Sequence, residues 1–201
     1  MSQNNHPFAN PGPAGLMVLA FYLGALWPVL TGMAHHELAS VLIALGLAGG
    51  LVQMTAGIIE LRNGSIMGGN ILLAFSAFMW LGCIEWLGKM LGFIPHNTAA
   101  VDGWVFTIMG ILMCGFTIGH LLTPKVMFWF MIFTDIFFLS AGIFFLTGSK
   151  LLLLIAGWVL PLVVVTIIWS VLGTVLNSVF GKTIIPLGKP YRTPTSKARK
   201  E

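Results

Sequence analysis

Residues 39–60 read ASVLIALGLAGGLVQMTAGIIE, an unbroken apolar run that closes on a glutamate. A helix needs about 20 predominantly apolar residues to cross a bilayer, so this segment is long enough to span one. Within it Gly46, Gly49 or Gly50, Gln53, Ala56 or Gly57, and Glu60 recur at steps of three and four residues. That spacing places them on one stripe of a helix, and the stripe is small and polar. Small residues allow helix backbones to approach closely in a membrane. Gln53 and Glu60 ask for more, because a polar group left unpaired in hydrocarbon costs several kcal/mol. Gln53 therefore either lines a solute path or makes an interhelical hydrogen bond, and Glu60 either serves such a path or pairs with Arg62 at the interface.

The rest of the chain repeats this pattern. Apolar runs at 14–33, 68–93, 104–121, 126–146 and 151–179 join 39–60 to make six expected spans. Between them stand polar or turn-forming breaks such as Leu61-Arg62-Asn63-Gly64, Thr123-Pro124-Lys125 and Thr147-Gly148-Ser149-Lys150. Composition agrees: 57% of the 201 residues are hydrophobic and 8% charged, with a mean hydropathy of +0.95. A soluble domain of this size could not cover that much apolar surface. The expected architecture is an all-α integral membrane protein, with a short tail at 1–13, a six-helix domain at 14–180 and a basic tail at 181–201. Connections this short leave no room for an extramembrane catalytic domain, so an enzyme is not expected.

Charge sets the expected orientation. Arg62, Lys125, Lys182, Lys189, Arg192, Lys197, Arg199 and Lys200 fall in the even-numbered loops or the C-terminal tail, and only Lys89 and Lys150 fall on the other side. By the positive-inside rule both termini are expected in the cytoplasm of a cell or inner membrane. The segment before Ala9 lacks a basic start, so a cleaved signal peptide is not expected. The basic tail reads as an orientation signal with some attraction for anionic lipid rather than as a nucleic-acid site. Cys83 and Cys114 form no metal-ligand pattern and read as packing residues; no metal or cofactor is expected.

Few ionisable groups remain inside the spans, and such groups commonly face a bundle interior or a wet path. Glu85 and Lys89 stand four residues apart and can pair on one helix face. Asp135 lies in mid-span in Phe133-Thr134-Asp135-Ile136-Phe137, far from any basic residue. It is a candidate proton relay, with a hydrogen bond to a neighbouring helix as the structural alternative. His35, His36 and His96 read as loop residues and His120 as interfacial. The Trp and Phe residues read mostly as lipid-facing or belt residues. The segment Asn10-Pro11-Gly12-Pro13-Ala14-Gly15-Leu16 makes an irregular entry to the first span, since two prolines lack N–H donors; an Asn-Pro helix cap is the simplest reading.

Taken together, Asn-Pro-x-Pro-x-Gly-Leu at 10–16 and Gly49-Gly50-x-x-Gln53-x-x-Ala56-Gly57-x-x-Glu60 resemble the acetate transporter family that includes the succinate-acetate permeases. Gly64, Gly68, Phe78, Ala156-Gly157-Trp158 and Val175-Leu176-Asn177-x-x-Phe180-Gly181-Lys182-Thr183-Ile184-Ile185-Pro186-Leu187-Gly188 follow in family order. The resemblance implies a six-helix protomer, usually a homohexamer, with a narrow central path in each protomer for acetate and similar small carboxylates. It implies substrate-binding roles for Asn10, Leu16, Gln53 and Glu60, and a constriction at Leu19, Phe75 and Phe78. Members of that family usually have Leu where Ala14 stands, Phe-Tyr at Leu47-Ala48, Asn at Ser65 and Tyr-Gly at Phe75-Ser76, so this chain lacks two tyrosine hydroxyls and keeps apolar bulk. At Asp135 relatives tend to have a neutral residue.

Acetate is almost wholly anionic near neutral pH. Moving it inward against a negative-inside potential costs about 2.3 kcal/mol per 100 mV, and one co-transported proton cancels that term. Proton-linked uptake is therefore the expected activity, with Asp135 or Glu60 as relay and Asn10 and Gln53 as donors to the carboxylate. The alternatives are a passive channel for small monocarboxylates or another small solute, and a non-conducting assembly or sensor protein.

Overall fold

A computed structural model describes residues 8–193. Among them all regular structure is helical, in six helices: α1 Gly12–Leu30, α2 Val41–Arg62, α3 Ile66–Leu91, α4 Ala99–Gly119, α5 Lys125–Thr147 and α6 Lys150–Phe180. Each of the six, α4 together with the 3-10 turn that follows it, is long and apolar enough to cross a membrane. The tail residues beyond Thr193, with Lys197, Arg199 and Lys200, lie outside the described residues, as does the side chain of His36.

Helix α4 begins at Ala99 rather than at Trp104, which brings Asp102 into its first turn. A carboxylate there is favoured by the unpaired N–H groups and positive end of the helix dipole. At the other end of the same helix, His120–Leu122 tighten into a 3-10 turn before Pro124 opens α5.

The chain divides into two compact units, Met1–Ala99 and Ala100–Glu201. In the first, α2 packs between α1 and α3, and its small stripe is where they meet. A methyl group placed on Gly57 would lie 3.1 Å from both the Gly69 carbonyl oxygen and the Leu73 nitrogen of α3. One placed on Gly49 would lie 2.6 Å from the Met79 side chain of α3 and 3.4 Å from Val18 of α1. On Gly46 it would overlap the Cys83 sulfur, so Cys83 fills the space that the missing side chain leaves. Close approach of this kind substitutes dispersion contact for the hydrophobic drive that lipid cannot supply.

The second unit packs α4 and α6 on α5. Helices α4 and α5 cross where Gly103 and Gly142 face each other, each carbonyl 3.1 Å from a methyl placed on the other glycine. Contrary to a lipid-facing reading of the phenylalanines, Phe130, Phe137 and Phe138 of α5 are almost completely buried. Phe106 of α4 meets Phe137 edge-to-face and Phe138 at a tilt, with centroids 6.1 and 5.9 Å apart. Of the seven tryptophans, Trp104, Trp129, Trp158 and Trp169 are about half exposed, and Trp27, Trp80 and Trp86 are partly buried.

The chain after α6 is a packed strap, where the sequence reads as a basic tail. Helix α6 stops at Gly181, whose φ of +63° suits glycine. The strap then folds back, and Leu187 occupies the space above Gly173. The Asn177 amide holds it from both sides, its Nδ2 donating to the Ile185 carbonyl at 2.8 Å while its Oδ1 accepts from the Ile184 and Ile185 nitrogens at 2.6 and 3.0 Å. Trp169 Nε1 donates to the Pro186 carbonyl at 2.8 Å. Further along, the strap carbonyls of Gly188 and Leu187 accept from Lys125 and Val126 at 3.4 and 3.2 Å. Those two N–H groups open α5 and have no partner within the helix. The Arg192 nitrogen donates to the Leu121 carbonyl at 2.9 Å, and the Lys125 ammonium sits 4.9 Å from the Tyr191 ring centre.

Asn177→Ala removes all three side-chain bonds to the strap, and about 2–3 kcal/mol of stability is expected to go with them. Asn177→Asp keeps the acceptor for Ile184 and Ile185 and is expected to lose less. Thermal unfolding in detergent checks both, and a melting temperature unchanged in Asn177→Ala would show that the strap is held by its apolar contacts instead.

Candidate functional site

The first unit holds most of the residues that the sequence singles out. At one end the Asn10 side chain closes the start of α1, its Oδ1 accepting from the Gly12 nitrogen at 2.9 Å. Pro11 and Pro13 stand where a helix start has no intrahelical acceptor to offer an N–H, so the missing donors cost nothing. The Glu60 carboxyl from the last turn of α2 lies over the same place: a methyl on Gly12 would be 3.0 Å from Asn10 Oδ1 and 3.1 Å from Glu60 Oε1. A methyl on Gly68 of α3 would be 3.4 Å from the other oxygen of Glu60. The structure thus brings Asn10 and Glu60 together around the first turn of α1, with the first turn of α3 beside them. Both helix starts present positive dipole ends to the carboxylate.

Gln53 stands two turns further along α2 and is fully buried. Its Nε2 donates to the Gly15 carbonyl of α1 at 3.3 Å, and its Oε1 has no hydrogen-bond partner. Of the two readings left open by the sequence, the interhelical hydrogen bond is present. Leu16 is buried as well, and Leu19 and Phe75 are each 2% exposed. Phe78 is partly exposed. Ser76 turns its hydroxyl away from solvent altogether: it donates to the Gly50 carbonyl at 2.8 Å and stitches α3 to α2.

Glu85 and Lys89 form their expected pair on α3, and Thr98 joins it, 2.7 Å from the Lys89 ammonium. With side chains 17% and 22% exposed, the pair is better shielded than a surface ion pair.

In the second unit Asp135 sits at the middle of α5, 8% exposed. Thr117 of α4 reaches it, with Oγ1 2.7 Å from Asp135 Oδ2, and Cys114 interacts with the same carboxyl from one turn earlier on α4. The second oxygen, Oδ1, is buried without a hydrogen-bond partner. Nothing in the sequence ties Thr117 to Asp135, because the link runs between two helices. His120 is 4% exposed, and its Nδ1 lies 2.9 Å from the Phe116 carbonyl. Among the described residues, no group of three or more His, Cys, Asp or Glu is placed to hold a metal ion.

The chain is 26% identical over 189 residues to the "Succinate-acetate/proton symporter SatP" of Escherichia coli, covering 93% of this chain and 99% of that one. It is 30% identical over 173 residues to the "Accumulation of dyads protein 2" of Saccharomyces cerevisiae, covering 82% of this chain and 60% of that protein. Its fold matches the solved "Structure of the bacterial acetate channel SatP" with a TM-score of 0.83 at 24% identity, over 90% of this chain and 99% of the other. With residues 1–188 matched to its family profile, this multi-pass membrane protein belongs to the GPR1/FUN34/yaaH family.

Proposed function

We propose that this protein carries acetate and related small carboxylates, succinate among them, across the membrane by proton-linked uptake. The observation that carries the proposal is the whole-length likeness to a curated succinate-acetate/proton symporter, which leaves 1% of that protein unmatched. A six-span chain with short connections has its chemistry inside the membrane, and there the electrical cost of an anion is decisive. One co-moving proton removes about 2.3 kcal/mol per 100 mV from inward transport.

The residues divide the work as follows. Asn10 uses its carbonyl oxygen on Gly12, so its amide nitrogen is the donor end for a carboxylate arriving at that mouth. Glu60 stands at the same mouth as a carboxylate that meets the substrate and its proton together. Gln53 spends one N–H on Gly15 and offers the second. Leu16, Leu19, Phe75 and Phe78 give the path its apolar narrowing, and Asp135 carries the proton. Both termini lie in the cytoplasm, in keeping with the basic residues gathered in the even loops and tail, and the protomers assemble as a homohexamer.

A passive channel is the second reading, favoured by the apolar, hydroxyl-poor set Leu19 and Phe75 and by the fold shared with a protein described as a channel. Uptake of labelled acetate into proteoliposomes separates the two, with protein-free vesicles as baseline because neutral acetic acid crosses bilayers unaided. Saturable entry that rises with an inward proton gradient and falls with excess succinate or propionate is expected. Protein-dependent flux indifferent to the gradient would establish the channel, and no flux above baseline would leave a non-conducting role.

A further inference from the structure

Thr117 Oγ1 lies 2.7 Å from Asp135 Oδ2 and 3.0 Å from the Met113 carbonyl oxygen. A hydroxyl has one proton to donate, while a carbonyl and an ionised carboxylate both only accept. The two contacts cannot both be donated by Thr117. Other threonines in the helices give that proton to the carbonyl four residues back, as Thr107, Thr134 and Thr147 do at 2.7 Å each. Thr117 is in position to do the same, and it then meets Asp135 as an acceptor.

The arrangement therefore has two forms that both keep the Thr117–Asp135 hydrogen bond. With a proton on Asp135, the carboxyl O–H donates to Thr117 Oγ1 and Thr117 donates to Met113. When that proton passes to a water molecule or to a transported carboxylate, breaking the Oδ2–H bond and forming a new O–H bond on the acceptor, the Thr117 hydroxyl turns about its C–O bond and donates to the carboxylate. No heavy atom moves, and Met113 keeps its helical backbone bond. We infer that Thr117 is a positioning residue for proton transfer, a hydroxyl rotor that lets Asp135 hold and release a proton in place. This rests on the reading of Asp135 as the proton carrier. The other titratable group meeting this carboxyl within the unit is the Cys114 thiol on α4; His120 stands one turn beyond Thr117, α6 has no titratable side chain after Lys150, and Lys125 lies nearly three turns before Asp135 on α5.

Thr117→Val keeps the shape and removes the hydroxyl, and Thr117→Ser keeps the hydroxyl. Gradient-driven uptake in vesicles is expected to fall about tenfold in Thr117→Val, the loss of one hydrogen bond to a charged group, with a displaced pH profile. Thr117→Ser is expected to stay within about twofold of the parent, since the hydroxyl is the group that acts. In parallel, the infrared C=O band of protonated Asp135, identified by its disappearance in Asp135→Asn, should move in Thr117→Val and return in Thr117→Ser. A band and pH profile unmoved in Thr117→Val, while Asp135→Asn abolishes coupling, would overturn the rotor and leave Asp135 as carrier. If Asp135→Asn itself keeps full, equally pH-dependent uptake, the carrier reading fails, and with it the reason for a rotor.

Discussion

Asp135→Asn is expected to lose at least about tenfold in gradient-driven uptake, equivalent to about 1.4 kcal/mol on the transport barrier, while remaining folded. Asparagine matches the shape of the protonated acid, and its Nδ2 can donate to Thr117 Oγ1 where the carboxyl O–H would. The bond that Asp135 makes across α4 and α5 is thus kept, and the exchangeable proton is what disappears. Labelled succinate is the better substrate for this test, because its charge suppresses unaided leakage. The informative quantity is the ratio of initial rates with and without the proton gradient, expected to fall to about one. A ratio that stays at the parent value would place the coupling proton on Glu60 or on the substrate itself. Melting temperature serves as the companion measurement, since a variant that merely unfolds says nothing about coupling.

The second large effect is steric. A methyl placed on Gly142 would lie 2.7 Å from the Thr107 nitrogen and 3.1 Å from the Gly103 carbonyl oxygen, backbone atoms of α4 that have no rotamer to adopt. Gly142→Leu is therefore expected to cost about 3 kcal/mol or more, at or beyond the upper end of ordinary overpacking. Separation of α4 from α5 would also part Thr117 from Asp135, so transport should fail along with stability. Gly115→Leu is the control: it stands on α4 with nothing within 4 Å of the added atom, and its stability is expected to change little. Equal melting temperatures for the two variants would mean that the crossing tolerates a wider spacing than the packing implies.

The candidate site was legible in the sequence where it depends on one helix at a time. The small stripe from Gly46 to Glu60 announced a packed face by spacing alone, and α1 and α3 do pack there. The spacing could not choose between partners for Gln53, because the Gly15 carbonyl that receives its N–H is 38 residues away. The bond from Ser76 to the Gly50 carbonyl likewise joins two helices, and the spacing within α3 does not reveal it. His120 is buried in the 3-10 turn that follows α4, which its place at the end of an apolar run does not reveal.

What the sequence determined by itself was the membrane class, the existence of six spanning helices, the Glu85–Lys89 pair and the isolation of Asp135. These follow from local quantities: the length of an apolar run against the thickness of hydrocarbon, the 3.6-residue period, and the high cost of a lone charge. Tertiary structure alone decided that Thr117 faces Asp135, that Asn10 and Glu60 share the first turn of α1, and that residues after Gly181 return as a strap on Gly173 and the start of α5. Each joins residues from separate segments, and contact between them depends on how closely their backbones approach. That approach is set by which glycines meet at each crossing, a matter of packing that a one-dimensional pattern does not contain.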